Sequence, residues 1–194
     1  MKNNLEIMTE ARLSLNEKWP FAIITFLVLN LILIGATLIP ILGTPLSFIL
    51  SGPLMIGAAY VALKIYKNDG AETNDLFFGF NHLFGNSIIA YLLMNVLIIV
   101  RLLLLIVPGI IAVLAYSQTF FILAENPSMD PYEAILKSKK MMQGFKWKYF
   151  QIGLILFGLG LLCLLTCGIG FLWLIPYKYV VYANFYEKVK AATS

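Results

Sequence analysis

Charge is what this sequence has least of. No Asp, Glu, Lys or Arg occurs from Trp19 to Leu63, from Leu102 to Ala124, or from Tyr149 to Tyr177. Charged residues fill 12% of the 194 positions and hydrophobic ones 60%. A soluble domain carries about 25% and about 45–50% of these. With a mean hydropathy of +0.86, a compact water-soluble fold is excluded, because it could not hide so much apolar surface.

Further absences narrow the chemistry. There is one histidine, His82, with no triad partner in view, and no GxSxG, HExxH or Walker loop. No acidic residue falls inside the uncharged stretches, so no carboxylate pair is embedded in a membrane. An enzyme is not expected, nor a cofactor or metal. The two cysteines, Cys163 and Cys167, lie one helical turn apart in an apolar segment and read as packing residues. A same-helix disulfide would be strained, and two lone thiols hold a metal poorly. Net charge is +4, yet no basic run interleaved with aromatics marks a nucleic-acid face. Glu6 and Glu10 follow Lys2 closely, and no small-residue site ends a short apolar core. The N-terminus is therefore expected to be retained.

What the sequence does have is long apolar runs. A spanning helix needs roughly 20 apolar residues to cross about 30 Å of hydrocarbon. The expected fold is all-α: a polytopic transmembrane helical bundle forming one membrane domain over 1–194, with six spans as three hairpins. The spans fall at about 20–39, 46–64, 87–107, 110–124, 149–167 and 170–187. Pro40, Gly43 and Pro45, then Pro108-Gly109, then Gly168-Ile169-Gly170 break the pairs.

Between the hairpins lie amphipathic interfacial helices. Over 4–18, Leu5, Ile7, Met8, Ala11 and Leu15 share one side with Trp19, which suits a helix lying on the membrane surface. The run LFFGFNHLFG (76–85) reads as a short aromatic helix at the interface. Asp130-Pro131-Tyr132-Glu133 is a helix start, with Asp as N-cap and Pro at the first position, running to about Gly144. The hairpin tips carry no charge, while the termini and long loops carry nearly all of it. The positive-inside rule puts those segments, and both chain ends, in the cytoplasm.

An internal repeat is visible. Gly52-Pro53-LMIGAA-Tyr60, Pro108-Gly109-IIAVLA-Tyr116 and Ile169-Gly170-FLWLIP-Tyr177 each place a Tyr seven positions after the second turn residue. The repeat units would be 4–66, 74–124 and 130–187.

VPGIIAVLAYSQTFFILAENP, DPYEAILKSKKMMQGFKWKYF and GIGFLWLIPYKYVVYANFYE, taken together, resemble a bacterial membrane-protein family. It is catalogued as domain of unknown function 975. Ser138-Lys139-Lys140-Met141-Met142 with Gly144 and Trp147 carries much of the likeness, as does the tail with Pro176, Tyr177, Phe185 and Tyr186. The resemblance implies a polytopic helical protein of the bacterial cytoplasmic membrane and no reaction, so it supplies no functional residues.

Ionisable residues in hydrocarbon cost roughly 2.5–3.5 kcal/mol each, which makes them default site candidates. Arg101 and Lys178 fall inside spans, roughly 10–12 Å below the outer tips. With Tyr60, Tyr116 and Tyr177 they form an expected polar layer in the outer half of the membrane. No acid lies at that depth, so either an anion completes the layer, or Arg101 snorkels and Lys178 bonds carbonyls freed by Pro176. Deeper lie Asn30, Asn95 and Gln118, expected to hydrogen-bond between helices. Lys137, Lys139, Lys140, Lys146 and Lys148 form a basic patch beside a span start. It reads as a topology determinant and as a headgroup patch for anionic lipid.

Two functions follow. One is a non-enzymatic scaffold, accessory or lipid-interacting protein, whose partners are the bilayer and either another membrane protein or a second copy. The other is a small transporter or channel with an anion path through the polar layer.

Overall fold

The structure, a computed structural model, describes residues 3–39, 43–104 and 106–193. The expected break at Pro40 lies outside these residues. Throughout them the chain is helical with no strand: α1 (Asn4–Ser14), α2 (Trp19–Thr37), α3 (Gly43–Lys67), a 3₁₀ turn (Thr73–Phe77), α4 (Phe78–Leu104), α5 (Ile106–Tyr116), α6 (Thr119–Glu125), α7 (Pro131–Met141), α8 (Lys146–Leu165) and α9 (Phe171–Thr193).

Five helical segments are long and apolar enough to cross a membrane: Trp19–Thr37, Pro45–Lys67, Thr73–Leu103, Val107–Glu125 and Lys146–Leu165. At 1.5 Å per residue even the shortest reaches about 28 Å. The remaining long helix, α9, carries Lys178, Glu187, Lys188 and Lys190 and is not among the five. Outward faces are oily: Leu103 is 81% exposed, Leu165 80% and Leu38 75%. Such faces suit hydrocarbon and not water.

Why the chain turns where it does is local chemistry. Asp130 caps α7, its carboxylate accepting from the N–H groups of Tyr132 at 2.8 Å and Glu133 at 3.3 Å. Pro131 follows at the first position, where no N–H is needed. Beyond Met141, Gly144 adopts φ +80° and releases the chain into α8. The α8–α9 turn covers 166–170, with Gly168 at φ +85°. Cys167 shares that turn at φ +51° and is exposed, so it is a tip residue rather than part of a span.

Three sequence expectations are corrected. Gly52-Pro53, counted as turn residues in the repeat, lies inside α3. Its helix runs with backbone almost touching the 3₁₀ turn and the start of α4: a Cβ on Gly57 would stand 1.8 Å from the carbonyl oxygen of Leu76 in the turn, and one on Gly79 of α4 2.2 Å from that of Pro53. Small residues there permit the close approach. Pro108-Gly109 is not a tip. α4 ends at Leu104 and α5 begins at Ile106, so Pro108 sits in the first turn of α5. Finally, most of the apolar stripe of α1 packs on the protein rather than on lipid. Ile7, Ala11 and Leu15 are all 0% exposed within the protein core. Asn184 of α9 donates to the Ile7 carbonyl at 2.8 Å, and Lys188 pairs with Glu10 at 3.0 Å. Of the stripe, Ile7, Met8, Ala11 and Leu15 are buried in the protein, while Leu5 stays 65% exposed.

The 76–85 run is partly as expected. A 3₁₀ turn leads into α4, which kinks at Leu83 (φ −139°). Its aromatics stack in series, Tyr60 on Phe78 at 4.1 Å and Phe78 on His82 at 4.7 Å. His82 is an exposed ring in that stack.

Candidate functional site

Charged residues converge at one end of the bundle. There the ends of α3, α6 and α9 meet the flank of α7 around a cavity of about 780 Å³. α3 supplies Lys64 and Lys67, α6 ends on Glu125, α7 contributes Lys137 and Lys140, and α9 contributes Tyr186 and Lys190. α3, α6 and α9 each change from apolar to charged here, so hydrocarbon preference brings these residues to one level.

Glu125 is the hub. Its Oε1 pairs with Lys67 Nζ at 2.5 Å, and its Oε2 with Lys190 Nζ at 2.5 Å. Tyr186 Oη donates to the same Oε2 at 2.8 Å. Lys67 also reaches Glu187 at 2.9 Å. One carboxylate thus ties α3, α6 and α9 together, with 14% of its side chain exposed. That partial burial makes these charge-assisted bonds stronger than open surface pairs. Lys64 is held separately by Asp75 at 2.9 Å and lies over the Tyr60 ring, 5.4 Å from its centroid.

The expected polar layer is not one cluster. Tyr60 lines the charged cavity, seven residues before the end of α3. Arg101 is three residues before the end of α4, about 4.5 Å from it rather than 10–12 Å. It donates to the Tyr116 hydroxyl, and its guanidinium lies 5.2 Å from that ring's centroid. Tyr116 is buried in a small core with Ala112, Ala115 and Ile135. Tyr177 donates to the Met8 carbonyl at 3.0 Å. Lys178 lies over Tyr179 at 5.1 Å and lines an apolar groove of about 390 Å³ between α8 and α9.

The deeper amides also differ from expectation. Asn30 and Asn95 bond their own helices, to the carbonyls of Phe26 at 2.6 Å and Tyr91 at 2.7 Å. Gln118 is fully buried at the break between α5 and α6. There Ser138 of α7 bridges the gap: its hydroxyl donates to Ala115 O at 2.8 Å and accepts from Gln118 N at 3.2 Å. Of the basic patch, the structure brings Lys137 and Lys140 to the cavity, whereas Lys139, Lys146 and Lys148 do not line it.

Sequence reasoning missed Glu125, Lys67, Lys64, Tyr186 and Lys190 as a set. A signal was present: Lys64 and Glu125 are the first charged residues after two uncharged stretches, which puts them at one membrane level.

A family model described as "Protein of unknown function (DUF975)" matches residues 95–193. That is 99 of the 194 residues, just over half. The chain belongs to this family. No curated protein and no solved structure matches it. In this DUF975 chain the matched region contains Arg101, Tyr116, Glu125, Ser138 and α9 with Tyr186. Lys64 and Lys67, which complete the cavity, lie before it.

Proposed function

We propose that this chain is a non-enzymatic scaffold or accessory protein of the bacterial cytoplasmic membrane that interacts with lipid. In this reading α9 is the sixth span, so the chain crosses an even number of times and both ends are cytoplasmic. Only Lys178 interrupts α9 between Phe171 and Tyr186. The charged end of the bundle then faces the cytoplasm, as the positive-inside rule requires.

The observation that carries the scaffold reading is the bond from Arg101 to Tyr116. A conduction path needs open polar groups at membrane depth, and this cation is already committed inside its own hairpin. Asn30 and Asn95 are spent in the same way. Away from the charged end, the groove between α8 and α9 is lined mostly by apolar side chains.

A transporter or channel has one observation in its favour. Among the described residues Lys178 has no ion pair or hydrogen bond, and it lines the α8–α9 groove. Proteoliposomes separate the two readings. Purified protein should give no chloride or phosphate flux above protein-free vesicles. Flux abolished by Lys178→Ala would replace the scaffold with the transporter.

A further inference from the structure

We infer that the cavity at the charged end of the bundle binds a phosphate ester, carried by a lipid headgroup or by a small soluble molecule. Its volume of about 780 Å³ lies within the roughly 300–1,000 Å³ of ligand pockets. Five lysines line it with Asp69 and Glu125, and with Asp75 on Lys64 and Glu187 on Lys67 the local excess is +1.

The lysines divide by what they already hold. Lys64 is paired with Asp75, and Lys67 and Lys190 share Glu125. Lys64 and Lys67 also occupy the last turn of α3, whose dipole favours cations. These three form a wall whose geometry exists before any ligand arrives. Lys137 and Lys140 differ: they have no ion pair or hydrogen bond among the described residues. Three positions apart, they stand on one face of α7 and both reach the cavity.

Each ammonium offers three N–H donors and a point charge suited to phosphate oxygens. The acids are committed to Lys64, Lys67 and Lys190 and leave Lys137 and Lys140 to a ligand. Glu125 is answered by Lys67, Lys190 and Tyr186, and Asp69 is exposed on the loop after α3. The inner wall is apolar, made by Leu63, Ala124 and Met141. Bare phosphate would leave that wall uncovered, whereas the carbon chain of an ester would cover it.

The lipid source rests on the membrane reading above; the soluble source does not. The test uses the full chain in detergent and two probes. One is glycerol 3-phosphate, read as a shift of the thermal midpoint against chloride at equal ionic strength. The other is phosphatidylglycerol against phosphatidylcholine, read as lipid retained in native mass spectrometry. A response to either probe is expected, and which one responds names the source. Lys137→Gln with Lys140→Gln should weaken that response roughly thirtyfold, at about a factor of five per charge. Lys139→Gln with Lys146→Gln, outside the cavity, should change it less than about threefold. The inference is overturned if neither probe acts, if the cavity pair binds like the parent, or if the outside pair costs as much. Failure of the membrane reading shows separately, as chain recovered in the soluble fraction without detergent.

Discussion

Ser138 of α7 accepts a hydrogen bond from the backbone N–H of Gln118 at 3.2 Å. The same hydroxyl donates to Ala115 O at 2.8 Å. A break between α5 and α6 leaves backbone groups without helical partners, and buried ones cost free energy unless something answers them. One side chain from another helix answers two of them. Ser138→Ala is therefore expected to cost about 2 kcal/mol, seen as a lower thermal midpoint in detergent. An unchanged midpoint would mean the break does not need α7.

Glu125 makes a second prediction. Replacing it by Gln keeps the shape and the bond from Tyr186 but removes the carboxylate charge that Lys67 and Lys190 share, with Glu187 still on Lys67. A loss of about 2 kcal/mol is expected, between the values for surface and buried pairs. Tyr186→Phe removes a single charge-assisted bond and should cost about 1–2 kcal/mol. Because both changes touch one carboxylate, a double-mutant cycle should show coupling rather than additivity.

The packing of α3 on the 3₁₀ turn supplies a third. Gly57→Ala forces a Cβ to within 1.8 Å of the Leu76 carbonyl. Unlike a flexible side-chain tip, backbone cannot swing aside, so α3 and the turn must separate. The expected cost is about 1–3 kcal/mol. Gly85→Ala, where a Cβ meets nothing within 4 Å, is the matched control and should be neutral within about 0.5 kcal/mol.

Asn184 ties α1 to α9. Asn184→Leu would leave the Ile7 carbonyl without its donor and abolish the contact to Glu10. Hydrogen exchange should rise across Asn4–Ser14 by about tenfold, the equivalent of about 1.4 kcal/mol, with α3 unchanged. Uniform protection in both helices would show that apolar packing alone holds α1.

Much of this fold is legible in the sequence because transfer free energy belongs to a segment. The uncharged stretches become helices, Asp130 caps α7, and Gly168 turns the chain at the α8–α9 tip. Partnership between segments is not legible that way. A Pro after a Gly reads as a turn, yet Gly52-Pro53 continues a helix, since a neighbouring helix can take up what Pro releases. The amphipathic stripe of α1 shows that Ile7 and Ala11 are covered without saying whether lipid or α9 covers them. The candidate site suffered most: Lys64, Glu125 and Lys190 stand far apart in sequence, and only packing makes them neighbours. Assigning Tyr60 the depth of Arg101 rested on the repeat match at Gly52-Pro53, a pair that lies inside α3.

Thiol accessibility from outside intact cells tests the central claim most directly. That claim is a membrane-spanning chain with its charged end in the cytoplasm and the α8–α9 turn on the far side. Cys167 is exposed in that turn, so a Cys163→Ser chain carries one native reporter there. A chain lacking both cysteines but bearing Lys139→Cys reports on α7. With a membrane-impermeant maleimide, Cys167 should be labelled in intact cells, and the position 139 thiol only after the membrane is opened. Labelling at 139 with Cys167 protected, or equal labelling of both before opening, would contradict the account.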